Sequence, residues 1–237
     1  AYVRCYSKNK RFTGENLATK LWIGDYSSAK EFTELASASQ GIRRIAVLRA
    51  DVDNLGQAFV AGFAEQNNSV SRTTTFSRKL SEFFKLHINY ILQNPEFHLG
   101  KEAANQRNAL IVYSGGDDVF LIGAWDDVIG FAIDLQSSLE KYTQGMLTIS
   151  AGIGLYPEKY PVSAMAYETG LLEEISKGMD DKNAVTLFEG EHTYHWDRFR
   201  EKVLGEKLDM LNRYFEINKM ERGNSVLYKL LEYIRSL

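Results

Sequence analysis

The chain has 237 residues, 44% hydrophobic and 25% charged, with a net charge of −3: room for one large or two small globular domains, and too acidic for a free-standing nucleic-acid binder. One cysteine, Cys5, excludes an internal disulfide and makes a reducing, cytoplasmic setting the default. No apolar run approaches the ~20 residues of a membrane span, no signal peptide is legible, and the start at Ala1 within a strand-like segment points to a piece of a larger protein.

Residues 1–40 read as a mixed lead-in, with strand character at 2–6 and 20–24 and a short helix over 29–36, ended by Gly41. Residues 44–52 form an apolar run of strand length. A helix over 56–65 follows, then a loop over 66–76 rich in Asn, Ser and Thr. Residues 77–93 are an amphipathic helix with Leu80, Phe83, Phe84, His87, Ile88 and Ile91 near one face. After a polar loop over 94–108, two β-type runs at 109–114 and 118–123 flank Ser114-Gly115-Gly116-Asp117-Asp118, a hairpin with adjacent carboxylates at its tip. Asp126 and Asp127 open a helix over 126–142. A strand at 147–155, a helix at 162–177 and a short strand at 184–188 complete the series. The heart of this order is βαββαβ, the split ferredoxin-like arrangement, so the fold class is α+β. The domain built on that core covers 41–190, and residues 191–237, with helices over 197–219 and 225–236, form a small all-helical domain. There is no internal repeat.

That topology brings Asp51 and Asp53, at the end of the first core strand, beside Asp117 and Asp118. The Gly-Gly-Asp-Asp segment alone reads as a tight turn, because Gly and Asp are turn residues. Together with Asp51-Val52-Asp53 it reads as a metal site, because four converging carboxylates repel unless a cation neutralises them. Asp51, Asp117 and Asp118, with the carbonyl of Val52, are the candidate ligands of Mg2+ or Mn2+, which takes one or two carboxylates plus substrate phosphates. Asn54-Leu55-Gly56 opens a helix whose N–H groups can hold a triphosphate, or is a capped strand-to-helix turn. Ser77 and Ser81 share a helix face that is either solvated or turned to a nucleobase or sugar. Lys177 and Lys182 bracket a helix end, placed either for phosphates or for the helix dipole. His192 and His195 have no matching pair of Cys or His elsewhere, so no zinc site is assigned.

The runs Ala50-Asp51-Val52-Asp53-Asn54-Leu55-Gly56, Ser114-Gly115-Gly116-Asp117-Asp118 and Lys182-Asn183-Ala184-Val185 carry a family resemblance. Over nearly its whole length the chain resembles the C-terminal part of the large polymerase-cyclase subunit of type III CRISPR effector complexes. Leu21-Trp22-Ile23-Gly24-Asp25-Tyr26, Gly41-Ile42-Arg43-Arg44, Leu48-Arg49-Ala50-Asp51 and the tail from Trp196 resemble the III-A (Csm) branch more than the III-B branch. The resemblance implies a second palm domain related to diguanylate cyclases and polymerase palms, then a helical domain. It implies ATP as substrate, cyclic oligoadenylates as product, and guide RNA, target RNA and other complex subunits as partners. The family's acidic motif falls on Asp117 and Asp118, its first-strand acid on Asp51, and the serines of its adenine-side helix on Ser77 and Ser81. Asp53, Asn54, Leu55, Gly56, Gly115, Gly116, Lys177 and Lys182 complete the expected nucleotide-binding set. The cyclase relatives carry Gly-Gly-Asp-Glu-Phe or Gly-Gly-Glu-Glu-Phe; here Asp118 and Val119 stand at the fourth and fifth positions, and the guanine-binding Asn-Asp stretch has no counterpart in the 66–77 loop. Both departures argue against GTP chemistry. The family's HD nuclease domain, zinc module and first palm have no counterpart in these residues, which therefore do not speak for or against DNA cleavage. Two other functions compete with this reading: a diguanylate-type cyclase using GTP, and a non-catalytic scaffold palm that docks subunits and guide RNA.

Overall fold

The expected alternation of strands and helices is present in the computed structural model, which describes residues 5–8, 18–21, 23–61, 70–99, 105–217 and 229. The elements are β1 (Cys5–Lys8), β2 (Ala18–Leu21), α1 (Phe32–Ala38), β3 (Ile45–Val52), α2 (Leu55–Ala61), α3 (Val70–Glu82), a π-helical turn at Phe83–His87, α4 (Ile88–Gln93), β4 (Ala109–Ser114), β5 (Asp118–Ala124), α5 (Trp125–Thr143), β6 (Ile149–Tyr156), α6 (Val162–Lys177), β7 (Ala184–Leu187) and β8 (Thr193–His195). β1 and β2 form a separate parallel pair. Ile23 and Gly24, expected as strand, are not; of the expected strand at 2–6, residues 2–4 lie outside the described residues, as does Trp22.

The main sheet has the order β4-β5-β3-β6-β7-β8. Its first four members are antiparallel to their neighbours and reproduce the split βαββαβ order. β7 adds parallel to β6 through the α6 crossover, and β8 returns antiparallel on β7. β8 has no expected counterpart: its Thr193-Tyr194-His195 run is too short to show a period of two.

β3 lies at the centre of this arrangement and needs apolar residues on both faces. Ile45 and Val47 pack with Leu35 and Ala36 of α1, Tyr156 and Met165. Ala46, Leu48 and Ala50 point the other way, where α5 lies across β3, β5 and β6. Gly152 sets how close α6 comes. A Cβ there would stand 2.4 Å from the Glu173 amide nitrogen and 2.6 Å from the Thr169 carbonyl, so the helix backbone rests directly on β6.

The loop expected over 66–76 is corrected from residue 70 onward, because α3 begins at Val70. Polar and β-branched residues favour non-helical backbone when their hydroxyls compete for backbone groups. Here the hydroxyls stay within the helix: Thr74 donates to the Val70 carbonyl at 2.7 Å and Thr75 to that of Ser71 at 2.8 Å. The ring of Phe76 meets Phe59 edge-on at 5.0 Å. Tertiary packing therefore overrides the weak local propensity.

The described part of the loop over 94–108 is pinned by a buried cation. Arg107 is 1% exposed and donates to Asp134 at 2.6 Å and to the Phe97 carbonyl, with Asp127 at 3.6 Å. Asp134 also accepts the amides of Glu96 (3.1 Å) and Phe97 (2.9 Å). The Tyr26 hydroxyl donates to the Arg107 carbonyl at 2.5 Å, and burial, with the charge of Asp127, pushes its pKa up to about 12.

A second compact unit comprises Trp196–Leu237. Its described part is helical in succession: α7 (Trp196–Arg198), a π-helical stretch Phe199–Leu208, and α8 (Asp209–Ile217). Trp196 and Phe199 meet edge-on at 6.3 Å. The expected helix over 225–236 lies outside the described residues except for Lys229. Among the described residues no helix is long and apolar enough to cross a membrane.

Candidate active site

The register of β3 against β5 places Asp51 directly opposite Asp118, and directly paired residues share a face of the sheet. The hairpin tip is closed by Gly115, whose amide donates to the Asp118 carbonyl at 2.9 Å, and tied to β3 by the Val52 amide, which donates to the Asp117 carbonyl at 3.1 Å. The two acidic segments thus meet as the topology requires. A Cβ on Gly115 would lie 2.2 Å from the Tyr113 hydroxyl, so a side chain there would push the exposed Tyr113 ring aside. The far end of β4 is anchored by Ser114, whose hydroxyl donates to the Phe84 carbonyl at 2.5 Å, within the π-helical turn.

α6 delivers two further charged groups onto the same face. Lys177 donates to Asp51 and, at 3.0 Å, to Glu173 one turn earlier; Glu173 in turn pairs with Arg49 at 3.3 Å. Arg49, Glu173, Lys177 and Asp51 form one continuous row. It borders a polar cavity of about 670 Å3 that Tyr113, Asp117 and Asp118 also line. A separate cavity of about 750 Å3, between α3 and the end of α5, is lined chiefly by apolar groups such as Phe76, Leu80 and Met146 and contains none of the acids.

The electrostatics of the polar cavity are unbalanced. Burial raises the Asp117 carboxyl above its ordinary value, the charges of Asp51 and Asp118 raise it further, and Lys177 opposes them. Burial pulls Lys177 down, but its hydrogen bonds to Asp51 and Glu173 outweigh that, and the ammonium is held above the usual lysine value. The charge of Asp118, with some burial, raises Tyr113. Among the described residues no three His, Cys, Asp or Glu side chains stand as a ready-made metal cage. The donor chemistry nonetheless fits a hard divalent cation: Asp51, Asp117 and Asp118 border one cavity together with Glu173, and Asp117 carries the penalty of repulsion from Asp51 and Asp118. Mg2+ needs only one or two protein carboxylates when phosphates and water complete its shell.

The remaining expected residues fall into two groups. Ser81 is half-buried at the hairpin tip, with its hydroxyl 3.8 Å from where a Cβ on Gly116 would stand; Ser77, one turn earlier, is exposed. Asp53, Asn54 and Lys182 do not line the cavity. Asp53 is 3% exposed and accepts from the Thr148 hydroxyl at 2.8 Å and the Asn183 amide at 3.1 Å. It thereby holds a turn in which Asp181, Lys182 and Asn183 all have positive φ (61°, 51° and 49°). Lys182 reaches back to the Asn54 side-chain oxygen at 2.7 Å, and Asn54 itself has φ 53°. Leu55 and Gly56 begin α2, and the space around Gly56 is open. Arg49, Tyr113 and Glu173 are absent from the expected set. Two signals in the sequence point to Arg49 and Glu173: a charge inside the apolar run at 45–52, two residues before Asp51, and the Glu173/Lys177 spacing of four.

Comparisons with known proteins agree with this fold. The sequence profile of the Cas10/Cmr2 second palm domain matches residues 44–186. A Mycobacterium tuberculosis protein named CRISPR system single-strand-specific deoxyribonuclease Cas10/Csm1 (subtype III-A) is 52% identical over 98% of this chain and 29% of its own length. The Streptococcus thermophilus protein of the same name is 42% identical over 100% of this chain and 30% of its own. The chain thus spans less than a third of these relatives. A crystal structure of a Csm1-Csm4 cassette in complex with cA4 superposes with a TM-score of 0.79 at 27% identity, covering 95% of this chain and 35% of that one. A cassette in complex with one ATP gives 0.69 at 29% identity, covering 78% and 28%. The chain belongs to the Cas10/Cmr2 family and corresponds to the second-palm, C-terminal part of its type III-A members.

Proposed function

We propose that this chain is the metal-bearing half of a nucleotidyltransferase that converts ATP to cyclic oligoadenylates within a type III-A CRISPR complex in the cytoplasm. The observation that carries the reading is the pairing of Asp51 with Asp118 across β3 and β5, with Asp117 beside them on one polar cavity. Solved relatives named as complexes with ATP, AMPPNP, pppApApA and cA4 support the substrate and product class. The Csm1-Csm4 cassettes support assembly with a Csm4-like subunit; guide and target RNA would be met through the complex.

Asp51, Asp117 and Asp118, with the Val52 carbonyl, would hold Mg2+ or Mn2+, which when bound supplies charge neutralisation on the phosphates and acidifies a neighbouring hydroxyl. The chain's own part is positioning and electrostatics. Lys177 offers an ammonium to the triphosphate, and Ser81 stands at the tip where a sugar or base would pass. A 3′-oxygen attacks the α-phosphorus of a neighbouring ATP, the bond to the β-phosphate oxygen breaks, pyrophosphate leaves and the hydroxyl proton passes to solvent. Repetition and a final intramolecular attack close the ring. The second ATP requires the other palm of the intact subunit.

One observation favours the scaffold reading: Lys177 already neutralises Asp51, as a purely structural ion pair would. The deciding experiment is product analysis in the assembled complex with target RNA, supplied with ATP or GTP, for wild type and Asp117→Ala/Asp118→Ala. ATP-dependent cyclic oligoadenylate that disappears in the variant is expected. Undiminished synthesis in the variant overturns the assignment, and product from GTP alone supports the diguanylate-type reading.

A further inference from the structure

Resting on the site assignment above, we propose that Lys177 is an exchangeable counter-cation for Asp51, with Glu173 as its second seat, so that a divalent ion is held weakly until a nucleotide arrives. Lys177 touches both carboxylates at once, Asp51 by its ion pair and Glu173 at 3.0 Å. Glu173 is fixed independently by Arg49 at 3.3 Å, and α6 is seated on β6 at Gly152. A small rotation of the lysine side chain therefore trades one carboxylate for the other without moving the helix. While the ammonium sits on Asp51, that carboxylate is committed to a monovalent partner, which fits the lack of a ready-made cage among the described residues. A nucleotide triphosphate brings the anionic oxygens that complete an ion's shell and gives the ammonium a new partner, releasing Asp51 at the moment the ion can be held. Metal and nucleotide then bind cooperatively, each strengthening the other by the same factor.

The test is Mn2+ binding to the full chain, followed by the loss of the free-ion paramagnetic resonance signal, without and with ATP. Lys177→Met removes the competing cation and is expected to tighten Mn2+ binding in the absence of nucleotide about tenfold and to shrink the further gain on adding ATP. Lys177→Arg keeps a cation and should stay near wild type. Glu173→Gln removes the second seat and should weaken Mn2+ binding both with and without ATP. Thermal unfolding of each variant shows that it is folded. Nucleotide-free affinity in Lys177→Met equal to or below wild type overturns the exchange while leaving the site assignment standing. The site assignment itself falls if Asp51→Asn binds Mn2+ as wild type does in the presence of ATP, and the exchange falls with it.

Discussion

The seat of α6 on β6 makes a quantitative prediction. In Gly152→Ala the new methyl would lie 2.4 Å from the Glu173 nitrogen, 2.6 Å from the Thr169 oxygen and 2.9 Å from the Leu172 carbonyl carbon. All three are backbone atoms, so no side chain can swing aside. Ordinary contact requires α6 to lift by about 1 Å. Overpacking of this kind costs about 1–3 kcal/mol, which lowers the unfolding midpoint by roughly 3–10 °C for a domain of this size. Gly56→Ala is the matched control. A Cβ there meets nothing within 4 Å, and Ala exceeds Gly in helix propensity by up to about 1 kcal/mol, so the same change should raise the midpoint or leave it alone. Thermal unfolding followed by circular dichroism reads both. The lift also carries Lys177 away from Asp51, so at temperatures where it remains folded Gly152→Ala should, like Lys177→Met, show a smaller gain in Mn2+ affinity on adding ATP. A midpoint for Gly152→Ala within about 1 °C of wild type, or equal to that of Gly56→Ala, would refute the close seating.

Asp117 titrates above its unfolded value, so the folded chain binds the extra proton. The stability this contributes is fully present below the unfolded value of 3.8 and is lost as pH rises through the folded one. Asp117→Asn should therefore melt higher than wild type at pH 7 without metal and show no gain in acid. An equal gain at both pH values would sink the argument. Arg107→Met leaves Asp127 and Asp134 buried without their cation and should cost about 3–5 kcal/mol in urea unfolding; a loss under about 1 kcal/mol would show that the two acids are otherwise compensated. Asp53→Ala should destabilise by about 1–3 kcal/mol through the freed Thr148 and Asn183 donors, yet leave Mn2+ affinity in the presence of ATP within about twofold of wild type. A much larger drop in affinity would place Asp53 back among the groups on the cavity.

The order of elements and the meeting of Asp51 with Asp117 and Asp118 were legible because they depend on local patterns: a run of eight residues at 45–52 of which six are apolar, a Gly-Gly turn between two β runs, and a period near 3.6 over 162–177. The first half of the helix at Val70–Glu82, residues 70–76, was hidden because these residues are weak helix formers locally and are held by contacts such as Phe59 with Phe76. Asp53 illustrates the limit of spacing arguments. Two residues beyond Asp51 it would share a face on a straight strand, but β3 ends at Val52 and Asn54 turns left-handed, so Asp53 faces Thr148 and Asn183 instead. The Arg49–Glu173–Lys177 row joins positions 49, 173 and 177 across more than 120 residues of chain. No single-sequence pattern links them, although a charged residue in a buried strand signals that some partner must exist.

The charges around the cavity bear on why a palm of this kind should need both ion and substrate. Four carboxylates border it, those of Asp51, Asp117, Asp118 and Glu173, against two cations, Arg49 and Lys177. The imbalance is two negative charges, which one divalent ion neutralises. The folded chain accommodates the excess in two ways: it protonates more readily at Asp117, and it draws Lys177 onto Asp51. Both responses are reversible. The cluster of Arg107 with Asp127 and Asp134 differs in being buried, at 1%, 2% and 4% exposure, with two carboxylates on one cation. The polar cavity is instead open, with the Lys177 and Asp51 side chains 29% and 24% exposed, so water and ions can reach it. The protein thus contains both kinds of charge cluster side by side. One is sealed and holds the loop before β4; the other is open, carries the larger excess of negative charge, and lies where the sheet and the hairpin tip border the polar cavity.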